Sequence, residues 1–238
     1  MVVLVAGTVS DAYGPIKSHD FVKVSQTSDK PEGPFTPQPE PMAESFSIDP
    51  AVFNDNGDYY LYYGGIWGGQ LQRYQGGEYN AEDTYPADDA PAVKPRVAKL
   101  SDDMLQMAEP PKEIDILDEN GELITAGDND RRFFEAAWVH KYDGTYYFSY
   151  STGDTHKIVY ATGDNPYGPF TYQGVILKPV EGWTNHHSIA EFKGKWYLFY
   201  HDSSLSEGKT HLRSVKMTEL THRPDGSIVT IDPYLEEK

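Results

Sequence analysis

Short apolar runs alternate with polar turns along this chain, and three of the runs share one layout. Each opens on a polar residue, passes through a brief apolar stretch to a glycine-bearing turn, and returns as an aromatic strand. Asp49 heads SIDPAVFNDNGDYYLYYGG, Glu135 heads the hairpin in FFEAAWVHKYDGTYYFSYS, and His186 heads HHSIAEFKGKWYLFYHD. The turn glycines are Gly57, Gly144 and Gly194, and the returning strands are Tyr59–Tyr63, Tyr146–Tyr150 and Trp196–Tyr200. Such runs read as β-hairpins. A hairpin repeated with its polar head at one offset implies radial repetition, with two acids and an imidazole aimed at a common axis.

A second unit also recurs. The strand FVKVSQ leads into TSDKPEGPF (27–35), and HKIVYA leads into TGDNPYGPF (162–170), so a strand followed by a Pro/Gly-locked turn appears twice. Further strands are expected at Arg96–Leu100, Leu212–Met217 and Ile228–Ile231, and a hairpin-like stretch at 112–133 turns at Asn120-Gly121. Val2–Val5 is compatible with a strand, whereas DAYGPIKSHD carries only turn signals. Residues 36–44 form a Pro-rich connection. Residues 75–95 form a long acidic excursion with room for a short helix, and loops of that length are often functional. No amphipathic helix of useful length is present. The pattern therefore predicts a single all-β domain over 1–238, and a β-propeller fits it better than a sandwich. Each four-stranded blade would take two strands from a hairpin, a third from VAKL or VYAT, and a fourth after the GPF turn.

Composition narrows the partners. Of 238 residues, 38% are hydrophobic and 13% aromatic, with 18 tyrosines, so the core is sheet-like and aromatic. Most tyrosines are expected to pack between sheets with the hydroxyl at the rim, and the remainder to offer ring faces to sugar C–H groups. The formal charge of −17 disfavours nucleic acid and anionic membrane and is compatible with a neutral ligand. The absence of cysteine rules out disulfides and thiolate metal sites. MVVLVAG is too short for a signal peptide or a membrane span, so the chain as written reads as cytoplasmic.

The motifs SIDPAVFNDNGDYYLYYGG, VAKLSDDML, FFEAAWVHKYDGTYYFSYS, YATGDNPYGPF and TNHHSIAEFKGKWYLFYHD together resemble glycoside hydrolase family 43, from about residue 21 to about residue 231. The resemblance implies a five-bladed β-propeller, here incomplete, with the first blade and part of the second missing. It implies inverting hydrolysis of terminal α-L-arabinofuranosyl or β-D-xylosyl groups of arabinoxylan and xylan. Asp49 matches the Asp that tunes the acid and orients the sugar, Glu135 matches the general acid, and His186 matches an axial histidine that helps hold a calcium or other cation. No organic cofactor is implied. The family's general base lies in an HADP-like phrase that this chain does not carry. Asp11 and Asp20 lack the following proline or strand, so the base is expected from outside the chain.

Local chemistry adds to these assignments. Glu135 lies between Phe133-Phe134 and Ala136-Ala137-Trp138, an apolar setting that favours a protonated carboxyl, although a Glu paired with Arg131 or Arg132 reads equally well from the local sequence. Pro50 is expected to hold Asp49 extended, and the competing reading of Asp49 is a turn residue before proline. His186 or its neighbour His187 would bind a cation, a metal-bound water or substrate, or else be a satisfied structural imidazole. Trp67, Phe134, Trp138, His187 and Arg213 are candidate sugar contacts, with core packing or surface ion pairing as the alternatives, and His156 is a further rim candidate. Two other functions compete with hydrolysis. One is a module that holds a pentose without cleaving it. The other is a chain that self-associates through open sheet edges.

Overall fold

The hairpin tips set the frame. In the computed structural model, which describes residues 2–8, 21–82, 84–183 and 185–235, each of the three expected hairpins closes through two consecutive left-handed residues. These are Asn56-Gly57, Asp143-Gly144 and Lys193-Gly194, with φ of 56° and 103°, 47° and 82°, and 53° and 77°. Two positive φ values in a two-residue loop give the type I′ turn, whose twist matches that of the strands it joins.

The chain forms two compact units, Met1–Tyr85 with Pro95–Glu113, and Pro86–Lys94 with Ile114–Lys238. In the first, β1 (Val2–Thr8), β2 (Phe21–Thr27) and β3 (Thr36–Pro37) form one sheet in that order, with Val2 opposite Thr27. The N-terminal strand thus runs further than Val2–Val5. The second sheet takes β4 (Ala51–Asp55), β5 (Asp58–Tyr63), β6 (Arg96–Lys99) and β7 (Lys112–Glu113) in order. Its fourth strand is β7 and does not follow a GPF turn. The first GPF phrase instead feeds β3, beside β2. Single 3₁₀ turns occupy Trp67–Gly69 and Leu71–Tyr74, upstream of the acidic excursion, which holds no helix among its described residues.

In the second unit, β8 (Ile116–Leu117), β9 (Glu135–Tyr142), β10 (Thr145–Ser151), β11 (Ile158–Gly163) and β12 (Phe170–Leu177) form a sheet of order β8-β12-β11-β10-β9. Here the fourth strand of the hairpin's blade, β12, does follow the GPF turn, and β8 adds a fifth in parallel. The last sheet is β13 (His187–Phe192), β14 (Lys195–Asp202) and β15 (Ser214–Leu220). The strand expected at 212–217 therefore starts at Ser214, and the one expected at 228–231 is reduced to isolated bridges, Ile228 to His222 and Ile231 to Leu177. DAYGPIKSHD lies outside the described residues.

Between the two sheets of the second unit lies a core of Tyr147, Ile158, Tyr160, Ile176, Leu177, Ile189, Leu198 and Leu220. A polar pair is set into it. His140 and His222 meet through their Nε2 atoms at 3.1 Å, and His222 stacks on Tyr142 at 4.0 Å. Burial, helped by the neighbouring His222, pushes the His140 pKa down to about 3, and burial takes His222 to about 4. A neutral pair shares one proton across that contact, whereas a pair with both rings charged carries a proton on each Nε2 and cannot. Both imidazoles refuse a proton in the folded state that they accept at about pH 6.5 when unfolded. Their contribution is complete above that pH and is lost as the pH falls from about 6.5 toward 4. The slope approaches about 1.4 kcal/mol per pH unit for the fully buried His140. Urea unfolding midpoints should accordingly drop between pH 6.5 and 4.5, and His140→Phe should flatten that drop. An equally steep slope in the variant would show that the pair is not its source.

Candidate active site

Asp49 is carried on strained backbone. Its φ is +58°, and Glu44 and Ser47 just upstream are also positive, at 56° and 62°. The expectation that Pro50 holds Asp49 extended is therefore wrong in φ. Asp is among the few residues that visit the left-handed region, because its short polar side chain can hydrogen-bond locally. The cost is about 1–3 kcal/mol per residue unless the surroundings impose it. They do so here. Ser47 is fully buried, its hydroxyl donates to the Gly65 carbonyl at 3.3 Å and accepts from the Gly65 N–H at 3.0 Å, and the Gly64 N–H donates to the Ile48 carbonyl at 2.9 Å. Gly69 backs this segment so closely that a Cβ there would lie 2.6 Å from Ile48.

Glu135 opens β9 on a bulge. Trp138 pairs with Ser149 but Glu135 pairs with Ser151, so β9 carries one residue more than β10 across this interval, and Ala136 takes φ +61° to absorb it. Arithmetic in the sequence shows why the bulge is needed. Asp49 and His186 precede their turn glycines by eight residues (57 − 49 and 194 − 186), whereas Glu135 precedes its own by nine (144 − 135). The bulge returns Glu135 to the face shared by Ser151, Ser149 and Trp138. Phe133, Phe134, Ala136 and Ala137 around it are all buried. Arg131 reaches Asp128 at 2.7 Å and Glu119 at 2.8 Å, and the buried Arg132 reaches Asp154 at 2.6 Å.

The same face meets β13. The His187 ring is buried, with Nε2 2.7 Å from the Ser149 hydroxyl, and Ser149 and Ser151 are successive residues on one face, ~7 Å apart along the strand. Glu135 and His187 are thereby brought to one end of the inter-sheet layer. Burial, then His186 and His140, hold the His187 imidazole well below its ordinary pKa, so it is neutral. His186 is half-buried, and its main-chain N–H donates to His201 Nε2 at 3.1 Å. Burial and the Arg213 charge lower His201 to about 4. Arg213 is exposed, with Nε donating to the Thr210 carbonyl at 3.2 Å.

The cation implied by the resemblance meets a thin donor set. His187 Nδ1 and both side-chain polar atoms of Asn185 are buried without a partner among the described residues, and no group of three His, Asp or Glu suited to a metal occurs among them. Calcium takes six to eight oxygens. One amide oxygen and an imidazole nitrogen do not meet that requirement, so no chemical step is derived through a metal, and His186 is not shown as a ligand.

The aromatic candidates divide. Trp67 is 45% exposed at φ +56° and stacks on Tyr85 at 5.0 Å, which is a displayed ring. Trp138 is committed to the inter-sheet layer, where its indole N–H donates to the Ile189 carbonyl at 3.1 Å. Phe134 is buried against Gly153. His156 meets the half-exposed Trp183 edge-on at 4.9 Å. Sequence reasoning missed Gly153, Ser149 and Asn185, because nothing in their local pattern marks them. A Cβ at Gly153, where φ is +69°, would sit 2.2 Å from the Phe134 ring, whereas one at Gly144, φ +82°, meets nothing within 4 Å. Both alanine variants should lose about 1–3 kcal/mol in urea unfolding from backbone strain. Gly153→Ala should lose more than Gly144→Ala, since it must also move the Phe134 ring, which precedes Glu135 in the chain. Equal losses in the two variants would show that the ring yields without cost.

Comparison with known proteins identifies the family. Residues 17–228 match glycosyl hydrolases family 43. A xylosidase/arabinosidase of Bacteroides ovatus is 59% identical over 223 residues, covering 92% of this chain and 69% of its own length. Xylosidase/arabinosidase 43A of Humicola insolens is 63% identical, covering 87% and 65%. The chain thus spans about two thirds of the length of these curated relatives. Among solved structures, a β-xylosidase/α-arabinofuranosidase from a compost microbial metagenome, in complex with xylotriose and calcium-free, has TM-score 0.90 and 64% identity over 97% of this chain and 73% of that one. A family 43 enzyme of Xanthomonas citri complexed with xylotriose has TM-score 0.93 and 54% identity over 99% and 70%. The chain belongs to glycosyl hydrolases family 43 and stands within it among the xylosidase/arabinosidases.

Proposed function

We propose that this chain carries the acid half of an inverting glycosidase that releases terminal β-D-xylosyl or α-L-arabinofuranosyl groups from xylo-oligosaccharides and arabinoxylan. Glu135 protonates the leaving oxygen, while Asp49 orients the sugar and tunes the acid. Inversion also needs a carboxylate to activate water on the opposite face of the ring, and no described residue is given that role. The observation that carries the reading is the bulge at Ala136, which uses backbone strain to return Glu135 to the face of Ser149, whose hydroxyl meets the buried, neutral His187. Xylotriose-bound relatives at 54% and 64% identity support the substrate class.

Glu135→Gln should cut xylobiose hydrolysis by about 10²–10⁴-fold, the usual worth of general acid catalysis. It should cut hydrolysis of a dinitrophenyl xyloside much less, because that leaving group needs no proton. Equal losses on both substrates would remove the acid assignment. Binding of xylotriose by the unaltered chain without any release would favour the pentose-holding module instead.

A second reading concerns self-association, and the last sheet favours it. β15 is an edge strand, and Val215 and Met217 on one face of it are 80% and 59% exposed. A second copy adding its own β15 across a twofold axis would pair both open backbone rows. Light scattering should then report a dimer that Met217→Lys dissociates. A monomer at tens of micromolar would end this reading.

A further inference from the structure

Lys23 is a buried cation that the chemistry above does not use. It lies in β2, and its side chain has no exposure to solvent. Its backbone is locked to the segment that leads to Asp49: the Lys23 N–H donates to the Ser45 hydroxyl at 2.9 Å, and the Lys23 carbonyl accepts from Met42 N–H at 2.8 Å. Its ammonium is locked to the same segment, donating to the Phe46 carbonyl at 2.5 Å and lying 3.6 Å from the centroid of the buried Tyr63 ring. Phe46 in turn meets Tyr63 edge-on at 5.5 Å and stacks on Tyr74 at 4.2 Å. Placing an ammonium here costs several kcal/mol unless an opposite charge is near. A methionine would fill the same volume without that cost.

The surrounding charges show what offsets the burial. Desolvation drives the Lys23 pKa well below its ordinary value, and the Asp49 carboxylate acts against that shift. The other ionisable groups close by act on Tyr63: Arg96, which pairs with Glu113 at 3.0 Å, and Glu44. Among the described residues, Asp49 is thus the carboxylate that supports a charge on Lys23, and Lys23 holds Phe46, three residues from Asp49, on a stretch with three left-handed non-glycine residues.

We propose that Lys23 is a positioning residue for Asp49. Its ammonium ties down the Phe46 carbonyl and the Tyr63 ring, and so fixes the strained 44–49 segment that carries Asp49. This rests on Asp49 being a site residue and deepens that reading. The Asp49 carboxylate in turn supports the charge on Lys23 against its burial. A sugar hydroxyl that engages Asp49 then meets a carboxylate that does not have to reorganise.

Two measurements on the intact chain decide it. In Lys23→Met, xylotriose hydrolysis should lose kcat by tenfold or more with KM nearly unchanged, because the loss falls on orientation and not on binding. A folded variant with wild-type kcat would overturn the proposal. If Lys23→Met does not fold, Asp49→Asn still tests the coupling. NMR of the Lys23 ε-methylene should show its titration midpoint in Asp49→Asn lower than in the unaltered chain by about one pH unit or more. An unchanged midpoint would overturn the proposal. The activity of Asp49→Asn is read separately. Wild-type hydrolysis in that variant would remove Asp49 from the site while leaving the measured coupling as it stands, so the two failures are distinguishable.

Discussion

Two consecutive left-handed residues at each hairpin tip govern where every functional group of this chain lies. The strand period is two, so a register slip of a single residue would turn each polar head to the opposite face. The type I′ tips at Asn56-Gly57, Asp143-Gly144 and Lys193-Gly194 leave no freedom in that register, because the pairs Asp55–Asp58, Tyr142–Thr145 and Phe192–Lys195 close directly on them. Asp49 and His186 then fall at the same distance from their tips. Glu135, one residue further out, would face the wrong way without its bulge. The bulge is thus required by parity, and that requirement follows from residue counting together with the observed pairing.

The heads themselves are held by strain that their surroundings over-determine. Asp49 is left-handed, and Glu135 is followed by a left-handed alanine. Neither is glycine, so each mount costs stability of order 1–3 kcal/mol. The supports differ. Around Asp49 they are polar and exchanged between chain segments: Ser47 with Gly65, Ile48 with Gly64, and Lys23 with Ser45 and Phe46. Around Glu135 the chain neighbours Phe133, Phe134, Ala136 and Ala137 are buried, with Phe134 wedged against the missing side chain of Gly153. A polar cradle limits how a carboxylate moves. An apolar wall limits what else can approach it.

Much of this was legible in the sequence, for a definite reason. The N-G, D-G and K-G tips, the alternating strands and the two GPF phrases are local signals, and local signals survive without coordinates. Asp49 and Glu135 stand out because each heads a hairpin, eight and nine residues before its turn glycine. What could not be read is non-local or conformational. The left-handed φ of Asp49 runs against the ordinary rule for a residue before proline. Lys23 looks like a solvent-facing lysine in the alternating FVKVSQ, yet it is fully buried. His140 and His222 are 82 positions apart, and no pattern joins them. His187, not His186, proved to be the buried imidazole, a difference of face that depends on which of two adjacent histidines falls on the inner side of β13.

The net charge of −17 invites a role in setting the chemistry, and the distances argue against a large one. At physiological ionic strength exposed charges are screened within about 8 Å. Desolvation does most to lower the pKa values of His140, His187 and His201 in the second unit, and close neighbours come next: His222 acts on His140, His186 on His187, and Arg213 on His201. The surface acids therefore favour solubility, and a neutral sugar gains nothing from their field. Proton handling in this chain is decided inside, by which imidazoles are kept dry and which carboxylates are given a partner.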